Sequence, residues 1–401
     1  MPDAHANSAL HTSERYASSP AIERSSIRLG YIDNLRWTMI ILVISMHAAD
    51  TYSPLGNWYF VDRRPLSLPV LLTFAAWQMY LQCFFMGLLF FIAGFFVPFS
   101  FDRKGAGRFV RERAFRLGLP TLLYMFCIGP VTEYYFAHSW TSTRPTSFAN
   151  EWMKHIRNGQ FLQENGPLWF CLALLIFSIA YTLLRSWRPS NSVITVDGVA
   201  PGTAKLILFA LVMATFTFLV RVARPSPFLN MHFGDFPQYI LLFGVGVMAA
   251  RRQWLSKLTF ETGMKWMAVA LSVGFAAWLM LLVLGGALRG QRADYSGGAH
   301  WQSALFCLWE SFTCVALCFG LVVLFRNRVN SQGRMAKFLT DNAFAVYVFH
   351  PPILIAAARS LSSASWPPLS KFVALTGISV VASFGLSAIL FRRIPLLRRL
   401  L

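Results

Sequence analysis

Long apolar runs separated by short polar links set the pattern of this chain. The runs fall at roughly 33–50, 70–98, 114–131, 166–184, 204–222, 236–250, 266–285, 301–325, 338–359 and 371–391. Most approach the ~20 residues an α-helix needs to cross hydrocarbon. The pattern predicts an all-α, polytopic integral membrane protein of about ten transmembrane helices. The run at 236–250 is short; it fits a helix that begins near Phe233 or one that is tilted or half-broken. No internal repeat and no independently folding soluble domain stands out.

The links between runs alternate in charge. Arg103, Lys104, Arg108, Arg111 and Arg113 occupy 99–113; Arg185, Arg188 and Lys205 lie around 185–205. Arg251, Arg252, Lys257 and Lys265 fill 251–265; Arg326, Arg328, Arg334 and Lys337 fill 326–337; Arg392, Arg393, Arg398 and Arg399 close the chain. Basic loops stay on the cytoplasmic side, so all five regions are expected there, with both termini. The other links are balanced by acids, among them Asp50, Asp62, Glu133, Glu151 and Glu164. The largest, 132–165, fits either part of a substrate mouth or an ordinary connection with an interfacial helix at 148–158. Residues 1–28 hold no apolar core and read as a disordered cytoplasmic tail rather than a cleaved signal peptide. Residues 29–395 read as the membrane domain and 396–401 as a short basic tail.

Composition agrees with lipid as the solvent. Of 401 residues, 56% are apolar and 13% charged, about half the usual charged share of a soluble domain. Mean hydropathy is +0.50. A net charge of +19 would suggest nucleic acid in a soluble protein. Here the cations sit in short links, so topology and anionic membrane lipid account for them. The six cysteines lie inside apolar runs without a CxxC pair, which predicts buried thiols and neither a disulfide framework nor a metal site.

Ionisable residues inside the runs carry the chemistry, because hydrocarbon makes them expensive. In the first run, Arg36 stands near the cytoplasmic surface and His47 eleven residues on, roughly 16 Å deeper and on the same face. Arg36 suits a snorkelling anchor or a cation at an inner mouth; His47 suits a packed ring or a reactive one. In the ninth run, His350 follows Asp341 by nine residues, ~13 Å, and reaches a depth comparable with His47. Asp341 and Asn342 suit a helix cap. Pro351-Pro352 predict a kink just past His350. Glu310 lies near the middle of the eighth run, where it must be paired, protonated or in contact with water. A pair with His47 or His350 fits the depths. Two histidines and a carboxylate suit proton abstraction and equally a proton-coupled or lipid transporter. Ser45 and Ser311 carry no mark of a nucleophile.

Taken in order, several stretches resemble the membrane acyltransferase-3 family. They are Arg36, ten residues and His47; Phe84 to Phe96 with Gly94; the basic junction Arg111 to Pro120; Gly166-Pro167-Leu168-Trp169-Phe170; and Phe344 to His350. The nearest likeness is to bacterial members of the glucan biosynthesis protein C type, which modify periplasmic glucans. It covers about residues 28–395. The resemblance implies a multi-pass O-acyltransferase of the bacterial inner membrane with no permanently bound cofactor. Its donor would be a cytoplasmic acyl-CoA, either acetyl-CoA or succinyl-CoA. Its acceptor would be a hydroxyl of a cell-envelope or periplasmic carbohydrate such as a glucan. It further implies His47 as the catalytic residue and Arg36 as a contact for the acidic donor. Arg111, Arg113 and Arg116 would add charge for the donor phosphates, and Glu310 or His350 would orient or recharge His47.

Overall fold

The computed structural model describes residues 29–137, 147–187, 198–390 and 393, apart from 57, 63 and 292. Both expected tails lie outside these residues, as do Arg188, Arg392, Arg398 and Arg399. Ten long helices follow the ten apolar runs. They are α1 (Gly30–Tyr52), α2 (Leu68–Lys104), α3 (Ala106–Phe136), α4 (Gly166–Trp187) and α5 (Thr203–Ala223), then α6 (Phe233–Arg251), α7 (Phe260–Arg289), α8 (Trp301–Arg328), α9 (Arg334–Ser360) and α10 (Pro368–Ile389).

Among the described residues, nine of these, α2 to α10, are long and apolar enough to cross a membrane. The chain is a multi-pass membrane protein. Helix α1 has 23 residues, so it is ~34 Å long, but Asp33, Asn34, Arg36, His47 and Asp50 lower its hydropathy. It packs against α2, α8, α9 and α10. Polar side chains at membrane depth need such shielding by protein. Apolar side chains of outer helices face the other way: Leu184 is 63% exposed and Val381 74%.

Helices α2 and α6 approach most closely through glycine. A methyl group on Gly94 would overlap the Phe243 carbonyl, and one on Gly246 the Phe91 carbonyl. Small residues let membrane helices meet backbone to backbone. Helix α3 is irregular, with π turns at Ala114–Gly118, Tyr124–Ile128 and Thr132–Ala137. Pro120 and Pro130 each lack an amide donor, so the ordinary ladder cannot run through them. Helix α9 continues through Pro351 and Pro352 to Ser360. The double proline therefore does not end the helix; its effect is to free a carbonyl beside His350.

Contacts at the helix ends test the charge pattern. Arg251 Nη2 donates to Asp102 Oδ1 at 2.9 Å, Lys257 Nζ to the Gly198 carbonyl at 3.0 Å, and Asn34 Nδ2 to the Val329 carbonyl at 2.7 Å. Arg326 donates to the Leu255 and Leu258 carbonyls. The four described basic links and the start of α1 thus gather at one end of the bundle. At the other end, Lys371 Nζ binds Asp62 Oδ2 at 2.8 Å. There the middle of the link 224–232 meets the start of α4. Arg224, Leu229 and Asn230 have left-handed backbone (φ 45°, 53° and 57°). Asn165 Nδ2 donates to the Leu229 carbonyl at 2.8 Å, and Asn230 Nδ2 to the Gly166 carbonyl at 3.1 Å. Irregular backbone at depth is tolerated where protein satisfies it. Helix α6 then starts at Phe233, the first of the two alternatives open for its short run.

Five cysteines are buried as expected, but Cys127 is exposed. It lies on the outer side of α3, where an apolar thiol faces an apolar solvent.

Candidate active site

The site begins with one helical turn. His47 and Asp50 are three residues apart on α1, so they share a face. His47 Nδ1 lies 3.2 Å from Asp50 Oδ2, and Gln78 Nε2 of α2 donates to Asp50 Oδ1 at 2.7 Å. Asp50 is buried. A carboxylate only accepts, so Nδ1 of His47 carries the proton and Nε2 keeps its lone pair. Trp58 stacks on the His47 ring, with centroids 3.7 Å apart and planes 14° from parallel.

His350 approaches from α9. An amide at position 351 would normally bond the Tyr347 carbonyl, but Pro351 has none. His350 Nδ1 takes that carbonyl at 2.8 Å. The contact fixes Nδ1 as the donor and leaves Nε2 as an acceptor. His350 Nε2 and Trp58 Nε1 are buried and have no hydrogen-bond partner among the described residues. The His350 and His47 rings stack at 5.5 Å with planes 10° apart. The depth match read from the sequence therefore corresponds to a contact.

A cavity of about 560 Å³ opens on this cluster, lined by His47, Asp50, Trp58, Glu164, Asp235 and Trp169 among others. The outer link supplies part of its rim. Within that link the helix Phe148–Arg157 matches the interfacial helix expected at 148–158. His155 Nε2 donates to the Met125 carbonyl at 2.9 Å, and its Nδ1 lies 2.9 Å from Glu164 Oε2. Burial first, then repulsion by and hydrogen bonding to Glu133, push the Glu164 carboxyl up to about 8. Near neutral pH Glu164 is protonated.

Glu310 is elsewhere. Its Oε2 lies 2.8 Å from Arg221 Nη1, and Arg221 Nη2 lies 2.7 Å from Asp235 Oδ1. Gln82 Nε2 donates to Asp235 Oδ2 at 3.2 Å. The acid expected to pair with one of the histidines is thus tied to Arg221 of α5. The carboxylate beside His47 is Asp50, which the charge pattern assigned to a loop. Its three-residue spacing from His47 places both on one face because α1 extends to Tyr52. Arg221 stood inside the run 204–222, where a lone cation also called for a buried acid.

At the far end of α1, Arg36 is half-exposed and 3.9 Å from Asp33. Arg36, Arg113 and Arg116 lie within electrostatic reach of one another. The π turn at Ala114–Gly118 displaces Arg116 along α3 relative to an ordinary turn. Arg111 is exposed on a different side of α3 from Arg113, two residues away. The arginines that gather with Arg36 are thus Arg113 and Arg116.

A family model described as an acyltransferase domain, of the acyltransferase-3 type, matches residues 29–388. No curated protein and no solved structure matches the chain.

Proposed function

The chain belongs to the acyltransferase-3 family and is a membrane acyltransferase; on that premise we propose that it moves an acyl group from a cytoplasmic acyl-CoA to a hydroxyl of a cell-envelope carbohydrate such as a periplasmic glucan. The observation that carries this reading is His47, with Asp50 and Gln78 behind it, on the wall of the cavity.

In this reading the basic end of the bundle faces the cytoplasm of a bacterial inner membrane. Arg36, Arg113 and Arg116 hold the donor's phosphates. The thioester reaches His47, roughly 16 Å along α1 from Arg36. The acceptor hydroxyl enters by the polar rim near Gln163, Glu164 and Asn230. His47 Nε2 takes the hydroxyl proton as the oxygen attacks the thioester carbon. The carbon–sulfur bond breaks, and the imidazolium returns the proton to the leaving thiolate. Asp50 holds the tautomer and stabilises the imidazolium. Glu310 has no part in this step, because its charge is matched by Arg221.

The test uses purified protein in lipid with radiolabelled acetyl-CoA or succinyl-CoA and a crude periplasmic glucan fraction. Label moves onto the glucan with the parent protein, and His47→Ala abolishes transfer without changing elution or thermal midpoint. Full transfer by His47→Ala would remove His47 as the base.

A further inference from the structure

A second cavity, of about 740 Å³, adjoins the first and takes no part in the proton transfer at His47. Gln82, His232 and Asp235 line both, so the two meet at those residues. From there the second cavity follows α2 outward to Leu71, eleven residues away, or ~16 Å. Its walls are mostly apolar, including Leu72, Ala75, Met79, Trp278, Leu282 and Phe306. The polar groups at the junction are engaged with each other: Gln82 with Asp235, and Arg221 with both Asp235 and Glu310.

Three features therefore lie in order along the bundle. The arginine cluster is at the basic end, His47 is ~16 Å further on, and the apolar cavity meets the cavity of His47 at Gln82, His232 and Asp235 and continues outward. Asp50 fixes this alignment, because it binds both His47 of α1 and Gln78 of α2, one turn from Gln82. A thioester bound with its phosphates at the cluster and its carbonyl at His47 directs its acyl chain onward to this cavity. A carbohydrate gains little there, since the walls offer few hydrogen bonds; the rim with Gln163, Glu164 and Asn230 suits it better. At the junction a terminal carboxylate on the acyl group would meet Asp235 and Glu310, with Arg221 already paired to both, while Arg224, which donates to the Gly297 carbonyl at 2.8 Å, lines the outer part of the cavity.

We propose that the apolar cavity is the acyl-chain site, and that the donor carries a hydrocarbon chain longer than acetyl. This rests on the acyltransferase reading and names its acyl group. The chemistry is unchanged: the carbon–sulfur bond breaks, the ester carbon–oxygen bond forms, and the hydroxyl proton passes through His47 to sulfur.

The experiment measures transfer from acetyl-, butyryl-, octanoyl- and succinyl-CoA by the parent and by Leu72→Trp and Met79→Trp, each in lipid. The parent should use octanoyl-CoA at least about tenfold more efficiently than acetyl-CoA. Either tryptophan fills part of the cavity, so the ratio of octanoyl to acetyl transfer should fall about tenfold. Thermal midpoint and elution in detergent identify a variant that has not folded, and the other variant then carries the test. Preference for acetyl-CoA over octanoyl-CoA in the parent would overturn the proposal while leaving the acyltransferase reading intact. So would a ratio that stays constant in folded variants. No transfer from any of the four donors would overturn the underlying reading and the proposal together.

Discussion

Asp50 determines which nitrogen of His47 can act. A carboxylate at 3.2 Å from Nδ1 requires a proton there, so the basic lone pair lies on Nε2, at the cavity. Asparagine at this position can present an amide N–H to Nδ1 and stabilise the wrong tautomer. Asp50→Asn should therefore lower kcat about 10²–10⁴-fold and leave KM for the donor nearly unchanged. Arg36→Ala should do the opposite, raising donor KM several-fold with a small effect on kcat. Steady-state kinetics over a donor series separate the two. The histidines were legible in the sequence because helical rise places them at one depth. Asp50 was not, since an acid at the end of an apolar run reads as a loop charge until the helix is seen to include it. Glu310 was legible as a buried acid that needs a partner. Its choice of Arg221 depended on which faces of α5 and α8 meet, and composition does not encode that.

At the scale of elements, the outer link joins rim and cavity through one proton. Glu164, held up to about 8 by burial and Glu133, keeps a proton in the folded state that the unfolded chain releases near pH 4–5. The folded state binds more protons across that interval, so stability falls as pH rises from about 5 to 8. The contribution is fully present below the unfolded value and is lost through the folded one. Glu164→Gln cannot ionise. It should flatten the decline of the thermal midpoint between pH 5 and pH 8 and raise the midpoint at pH 8. A midpoint series across that range in the two proteins checks it. The helix Phe148–Arg157 corresponds to the helix at 148–158 in one of the two readings of the link. The double proline of α9 was visible too; the helix runs on through it, and His350 takes the Tyr347 carbonyl that it frees. Proline dictates the missing donor; the neighbours decide what replaces it.

Across the whole molecule, charge placement read from the links agrees with the contacts at the helix ends. Regions separated by a hundred residues or more meet there: Asp102 with Arg251, and Asn34 with Val329. The sign of the links specifies which of them share a side. The two adjoining cavities were not legible, because they depend on gaps among six or more helices. Length and hydropathy find the helices but carry nothing about the space between them. In the proposed reaction the donor enters at the basic end and the acceptor at the other, with His47 between.

Cross-bilayer transfer tests that two-sided arrangement most directly. The protein would be reconstituted in sealed vesicles of known orientation, with the carbohydrate fraction inside and labelled acyl-CoA outside. Vesicles with the basic end outward should label the enclosed carbohydrate, and matched vesicles carrying His47→Ala should not. Label appearing equally in vesicles of the opposite orientation, or in the His47→Ala vesicles, would contradict it.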